Sequence, residues 1–254
     1  MARVKSFLRL QGSMGETTFV KQGAKIGGYR SQDKKVTSPD KFKNDPKMAR
    51  VRENAGDFKT AARGAKLIRN SISSLVKDAK DSNLTSRMLK TLMAIVKSDA
   101  ISPAGQGNLV DGNLSLLNGF HFNEATKLSV VMSALITHNI NRVTGLLTIN
   151  IPVFTPSEDM KTPRGAARYQ FVSAGIEMDF ANGTSKADIQ KSAQFLNNTL
   201  PTTALTLTHT VTANSTLPLF LVFGIRFLKQ VNNSIVPLLS SDSSLLVILD
   251  VSKV

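Results

Sequence analysis

Cysteine is absent from this chain of 254 residues, and histidine occurs only three times. Without cysteine there is no disulfide framework, no thiolate metal site and no cysteine nucleophile, which is typical of proteins from a reducing compartment. The histidines, His121, His138 and His209, stand alone, with no His-x-x-x-His or Glu-x-x-x-His pair that would present a shared metal. We therefore expect neither a metal nor a cofactor.

Long apolar runs are also missing. Residues 1–10 interrupt each apolar pair with a charge, so they lack the continuous apolar region of a signal peptide. The longest apolar run, residues 217–225, is about half of the ~20 residues that a membrane-spanning helix needs, and we expect it to be a buried strand. These features predict a cytoplasmic protein that has no membrane partner.

Sequence signatures of catalysis are lacking as well. There is no Gly-x-Ser-x-Gly motif, and no serine has a plausible histidine and aspartate nearby in the sequence. Residues 23–28 are glycine-rich, but no Lys-Ser or Lys-Thr follows them as a phosphate loop requires. Glu177 and Asp179 share one face of a predicted strand, and two acids are too few for a calcium site without further ligands. We expect a protein that is not an enzyme.

Positive charge, in contrast, is abundant and unevenly distributed. The formal net charge is +14, and residues 1–100 contain 22 Lys and Arg against 9 Asp and Glu. Residues 101–254 contain 10 against 9. This asymmetry predicts a basic front half that binds an acidic partner and a nearly neutral second half.

The front half begins with a glycine-rich basic arm, residues 1–45, in which we expect short strands at 4–10 and 17–21. Asp45 and Pro46 then predict a helix over about 46–77, because Asp is a favoured N-cap and Pro is favoured at the first helical position. The residues Met48, Ala55, Phe58, Ala62, Ala65, Ile68, Ile72 and Leu75 fall on one apolar stripe of this helix.

Two glycines interrupt this helix, Gly56 and Gly64, and they predict a close packing contact or a kink. A second helix is predicted over Thr85–Ser98, capped by Thr85 or Asn83. Residues 46–102 thus form a basic helical segment. We interpret the turn-rich residues 103–119 as a linker at a domain boundary.

From Phe120 onward the pattern is typical of strands separated by Asn, Gly, Pro and Ser. The predicted strands are Leu128–Thr137, Gly145–Val153, Tyr169–Phe180, Thr203–Val211, Leu219–Leu228 and Leu245–Val251. Short strands at this spacing favour an antiparallel β-sandwich over residues 120–254. The predicted fold class is therefore α+β.

Several stretches of the sequence resemble uncharacterised basic proteins that are common in Bacteroidetes bacteria. They are Gly12–Lys21, Gly28–Arg30, Asp45-Pro46, Arg50–Phe58, Pro103–Gln106, Asn150–Phe154, Ser173–Gly175 and Thr212–Thr216. The resemblance covers nearly the whole chain and implies that both halves belong together. It implies no activity and assigns no functional residue.

The most specific functional pattern is a basic stripe on the first long helix. Lys59, Arg63, Lys66 and Asn70 recur at steps of four, three and four residues, and Arg69 lies close by. A solvated helix face usually mixes charges of both signs, yet residues 59–80 offer only Asp78 as an acid. The predicted phosphate contacts are Lys21, Lys25, Arg30, Lys34, Lys35, Lys47, Arg50, Arg52, Lys59, Arg63, Lys66 and Arg69.

Two hypotheses follow from these patterns. In the first, the protein binds nucleic acid, DNA or RNA, or another acidic partner, without sequence specificity and through its basic half. In the second, it is a self-assembling structural subunit, a homo-oligomer, whose arm pairs with the sheet edge of a neighbouring subunit. The two hypotheses are compatible with each other.

Overall fold

The computed structural model describes residues 11–21, 29–33, 38–79, 81–232, 234–238 and 244–253. The chain divides into two compact units, Met1–Arg52 and Glu53–Val254. The boundary between them lies within the first long helix and not at the predicted linker.

The first unit contains a small antiparallel sheet and a short helix. The strands are β1 (Gly12–Met14), β2 (Thr17–Lys21) and β3 (Tyr29–Asp33), paired in that order, and the helix is α1 (Pro39–Asn44). The predicted strand 17–21 is confirmed, while the predicted strand 4–10 lies outside the described residues. No described side chain of β1, β2 or α1 is buried, so these elements have no apolar core among the residues described.

The first long helix begins where the sequence predicts. The Asp45 carboxylate accepts a hydrogen bond from the Lys47 amide at 2.8 Å, and a 3₁₀ turn over Pro46–Met48 leads into α2 (Ala49–Ser71). A break at Ile72 separates α2 from α3 (Ser73–Ala79). At this break the Ser71 hydroxyl donates to the Ile68 carbonyl at 2.8 Å, and such a contact competes with the helical ladder.

The second predicted helix is confirmed as α4 (Leu84–Lys97), which buries its apolar face. The strands of the second unit are β4 (Thr137–Asn141), β5 (Leu146–Ile151), β6 (Arg168–Asp179), β7 (Thr184–Leu196), β8 (Leu205–Thr210), β9 (Leu219–Val231), β10 (Ser234–Pro237) and β11 (Ser244–Ser252). They form two antiparallel sheets. In one, β10 and β11 both pair with β9, followed by β6 and β7; in the other the order is β4-β5-β8.

The five-stranded sheet is covered on both faces. On one face, Ile176 and Phe220 pack in a common core with the helix residues Ile68 and Leu92. On the other face, Phe171, Phe223 and their neighbours pack against the apolar side chains of β5 and β8. The second unit therefore has helices, a five-stranded sheet and a three-stranded sheet in contact, which confirms the α+β class.

The predicted linker 103–119 does not separate two cores. Leu109, Leu114 and Leu117 are buried in the same cluster as α2, α4 and the large sheet. A β-carbon added at Gly56 would overlap the Gly105 carbonyl, so α2 lies in close contact with this segment, as the helix glycines predicted. Glycines and turns in 103–119 serve close packing, which explains why the composition alone indicated a linker.

The predicted strand Leu128–Thr137 is wrong. Residues Leu128–Val131 form the short helix α5, and β4 begins at Thr137. Leu135 is 80% exposed, so the apolar residues of this stretch do not all serve a buried strand. Conversely, β7 was not predicted, because it is an edge strand whose sequence is polar at most positions. The other predicted strands are confirmed within a few residues.

We expect that residues 45–254 fold on their own and that residues 120–254 do not. The longer fragment keeps the Asp45 cap and both helices, whereas the shorter one exposes the apolar sheet face around Ile176 and Phe220. Thermal melts followed by circular dichroism, with size-exclusion chromatography, should show a cooperative monomeric transition for the first fragment and aggregation for the second. A soluble 120–254 fragment with a cooperative melt would restore the predicted domain boundary.

Candidate functional site

A cleft of about 470 Å³ opens in the second unit between α2 and the turn that joins β6 to β7. From α2 it is lined by Thr60, Arg63, Lys66 and Asn70, among others. The facing wall is the turn 180–183, and Leu109 contributes to the lining from the segment that follows α4. Part of the basic stripe predicted from the sequence therefore lines a concave site.

The packing of α2 determines which of its side chains face this cleft. Its buried residues are Ala61, Gly64, Ala65 and Ile68, which lie about 180° around the helix axis from the basic stripe. Small residues allow a close approach, since a β-carbon at Gly64 would overlap the Leu109 side chain. The helix is therefore fixed with its basic face outward.

The three cations of that face, Lys59, Arg63 and Lys66, are exposed. Within the described part of the chain, no hydrogen bond or ion pair engages any of them. Asp78, the acid that the sequence offers in this region, is bound to Arg226 at 2.9 Å. Like charges at three- and four-residue spacing destabilise a helix by about 0.2–0.5 kcal/mol per pair. The described residues therefore leave this positive charge uncompensated.

The facing wall is an ordered turn that carries an aromatic side chain. The Asp179 carboxylate accepts hydrogen bonds from the Asn182 amide at 2.9 Å and from its side chain at 2.6 Å, and these bonds hold the pKa of Asp179 below its usual value. Phe180 is half-buried and packs edge-to-face on Phe220, with the ring centroids 6.1 Å apart. The cleft therefore combines cations, amides and one aromatic ring.

Two predicted phosphate contacts are used inside the fold. The Arg69 guanidinium donates to the Ala65 carbonyl at 3.1 Å and to the Thr85 hydroxyl at 2.9 Å, so it ties α2 to α4. The Arg52 guanidinium donates to the carbonyls of Phe42 and Asp45 at 2.8 and 3.0 Å. Because part of each guanidinium already donates to protein carbonyl or hydroxyl groups, fewer of its N–H groups are left for a phosphate.

The other predicted contacts belong to the first unit. Lys21 and Lys47 are exposed, and Arg30 is exposed with its guanidinium donating to Gln32 at 2.6 Å. Arg50 is engaged in an interaction within the chain. Lys25, Lys34 and Lys35 lie outside the described residues. The structure therefore brings together only Lys59, Arg63 and Lys66 of the predicted set as one continuous face in the second unit.

A buried serine and a buried histidine meet a partly exposed aspartate, although the three lie far apart in the sequence. The His209 Nε2 lies 2.9 Å from the Ser173 hydroxyl, and its Nδ1 lies 3.5 Å from the Asp188 carboxylate. Both Ser173 and His209 are fully buried. A nucleophile must touch its substrate, whereas the Ser173 side chain has no exposed surface. The three residues connect β6, β7 and β8.

The carboxylates of Glu177 and Asp179 both accept hydrogen bonds from other residues of the chain. Glu177 accepts hydrogen bonds from Thr212 at 2.7 Å and from Ser215. Burial raises the pKa of Glu177, but these hydrogen bonds outweigh it, so the pKa lies below the usual value. Asp179 instead orders its own turn. In the described residues no three His, Asp or Glu side chains converge as a metal site would require.

Comparison with known proteins adds no family. No protein-family model matches the chain, and the search of curated proteins found no match. Among the helices that the structure describes, none has both the length and the hydropathy needed to cross a membrane.

We predict that acid destabilises the protein through His209. Burial lowers the pKa of this histidine, although Asp188 opposes the shift, so folding favours the neutral imidazole. Below about pH 6.5 the unfolded chain binds a proton that the folded chain does not, and up to ~1.4 kcal/mol of unfolding free energy is lost per pH unit until the folded pKa is reached.

Urea titrations of the wild type and of His209→Gln between about pH 7.5 and 5 measure this loss. Burial also lowers the pKa of His121, so the difference between the two proteins isolates His209. The variant should be less stable at pH 7.5 and less sensitive to acid. Equal pH dependence in both proteins would contradict the assignment.

Proposed function

We propose that the protein is not an enzyme and that it binds nucleic acid without sequence specificity through the basic face of α2. The observation that supports this proposal is the group of exposed cations Lys59, Arg63 and Lys66, which have no acidic partner in the described residues and adjoin a concave cleft. Each cation that neutralises a phosphate releases a condensed counterion, and this release drives binding.

The lack of sequence specificity follows from the chemistry of the side chains. Lysine and arginine on an exposed helix face contact phosphates, which are identical along any nucleic acid. The sequence has neither a helix-turn-helix signature nor an RNP motif, which would indicate that base edges are read. Under this proposal Lys21 and Lys47 of the first unit add further phosphate contacts.

The remaining parts of the chain support this surface. The packed sheets of residues 120–254 act as a β-sandwich that holds α2 in place, and the glycine-rich arm contributes charge and assembly. We place the protein in the cytoplasm, and we assign it to the basic Bacteroidetes-type proteins on sequence resemblance alone. An acidic protein surface is the competing partner, and the salt dependence on nucleic acid distinguishes it.

Self-assembly is a second candidate function. It is favoured by the first unit, whose strands β1 and β2 bury no side chain and so gain little from folding alone. A neighbouring subunit that pairs with these strands would supply the missing contacts. Light scattering on nucleic-acid-free protein should then show assemblies for the full chain and none for residues 45–254. If both proteins contain the same number of subunits, the arm has no role in assembly.

Reversal of the charges on the α2 face tests the main proposal. Lys59→Glu, Arg63→Glu and Lys66→Glu together should weaken binding to all sequences alike. They should also make the dependence of log K on log salt shallower, by about 0.9 per lost contact on duplex DNA or about 0.7 on single strands. Filter binding between roughly 50 and 200 mM salt measures both effects.

Three other exposed lysines provide a control variant with the same change in net charge. Lys77, Lys90 and Lys97 are exposed and lie on α3 and α4, so reversing these three gives the same net charge away from the cleft. Circular dichroism confirms that each variant is folded. If both triple variants lose the same affinity, the loss comes from the change in net charge alone. That result would contradict a defined binding face on α2.

A further inference from the structure

We infer that the cleft beside α2 receives an unpaired nucleotide, so that the preferred ligand is single-stranded nucleic acid. This inference rests on the function proposed above and specifies its ligand. Besides the cations of α2, the cleft is lined by an aromatic ring and two amide side chains, those of Phe180, Asn182 and Asn70.

The size of the cleft is the first argument. At about 470 Å³ it falls in the range of small-molecule sites, and a single nucleotide is a ligand of that size. In a duplex the bases are stacked and paired in the interior, so a duplex reaches such a cleft only with the phosphates at its rim. An unpaired base can be turned outward and inserted.

The distribution of chemistry across the cleft is the second argument. Arg63 and Lys66 form a cationic wall on α2, which suits a phosphate. Phe180 lines the cleft from the β6–β7 turn, and an aromatic ring is the usual stacking surface for an unpaired base. A site for phosphate alone would need no aromatic ring. Asn70 adds an amide group of the kind that hydrogen-bonds to base edges.

Contacts within the fold hold the Phe180 ring in one position. Its ring packs against Phe220, and the turn that carries it is held by the hydrogen bonds between Asp179 and Asn182. A ring that is fixed before binding loses little conformational freedom when a base stacks on it. The cleft is therefore organised for stacking in the absence of a ligand.

Electrostatics alone makes the opposite prediction, and this allows a clear test. Duplex DNA has a higher charge density than a single strand and releases more counterions per contact. A purely cationic surface should therefore bind a duplex at least as tightly as a single strand of the same length. Tighter binding of the single strand requires contacts to unpaired bases.

The test uses nuclease-treated full-length protein and labelled oligonucleotides, namely oligo-dT, oligo-U and a DNA duplex of equal length. Fluorescence anisotropy at about 0.1 M salt should show tighter binding of single strands, DNA or RNA, than of the duplex. Phe180→Leu keeps an apolar side chain but loses the stacking surface. It should weaken single-strand binding by roughly fivefold or more and leave duplex binding unchanged.

Two further variants make the test independent of folding effects. Phe58→Leu removes an aromatic ring that is 52% exposed on α2 but does not line the cleft, and it should leave both affinities unchanged. Phe180→Trp creates the sole tryptophan of the chain, because the natural sequence has none. Single strands should quench the emission of this tryptophan by stacking, and the duplex should not.

The possible failures are distinguishable. Duplex binding as tight as single-strand binding, with no effect of Phe180→Leu and no quenching in Phe180→Trp, would overturn the single-strand inference and leave the basic face of α2 as a phosphate-binding surface. The absence of binding to any of the three oligonucleotides by the wild type at low salt would overturn the proposed function and this inference together.

Discussion

The close packing of α2 against the core is the constraint on which the account depends. Gly64 and its small neighbours bring the helix down onto Leu109, and Gly56 brings it against the Gly105 carbonyl. Because a helix has a fixed angular repeat, burying this face turns Lys59, Arg63 and Lys66 outward. This close packing also places α2 beside the β6–β7 turn. The packing of one helix therefore determines both which charges are exposed and where the cleft lies.

The free energy gained by burying apolar side chains of α2 exceeds the cost of the repulsion between its exposed cations. Each pair of like charges on α2 costs about 0.2–0.5 kcal/mol, whereas burying one large apolar side chain such as Ile68 contributes about 1.5–3 kcal/mol. The fold therefore tolerates the repulsion without difficulty, but it gains nothing from it. Acids at neighbouring positions would remove this repulsion, and Asp78 is instead paired with Arg226. Under the proposed function, a polyanionic ligand would neutralise the charge that the described residues leave uncompensated.

Local signals in the sequence predicted the parts of the structure that depend on local interactions. The helix start at Asp45 follows from capping chemistry, and the basic stripe follows from helical spacing. The segment 103–119 was misread because turn residues look alike in a linker and in a packed loop. The intramolecular role of Arg69 and the place of Phe180 opposite α2 were beyond prediction, since both depend on elements that meet only when the sheet and the helices pack together.

The central claim is that nucleic acid lies against the cationic face of α2, and lysine reactivity measures this most directly. Full-length protein is acylated with an amine-reactive reagent, with and without bound oligo-dT, and each lysine is quantified by mass spectrometry. The account predicts that bound oligonucleotide slows the acylation of Lys59 and Lys66 and leaves Lys77, Lys90 and Lys97 unchanged. Unchanged reactivity of Lys59 and Lys66 while the oligonucleotide is bound would contradict it.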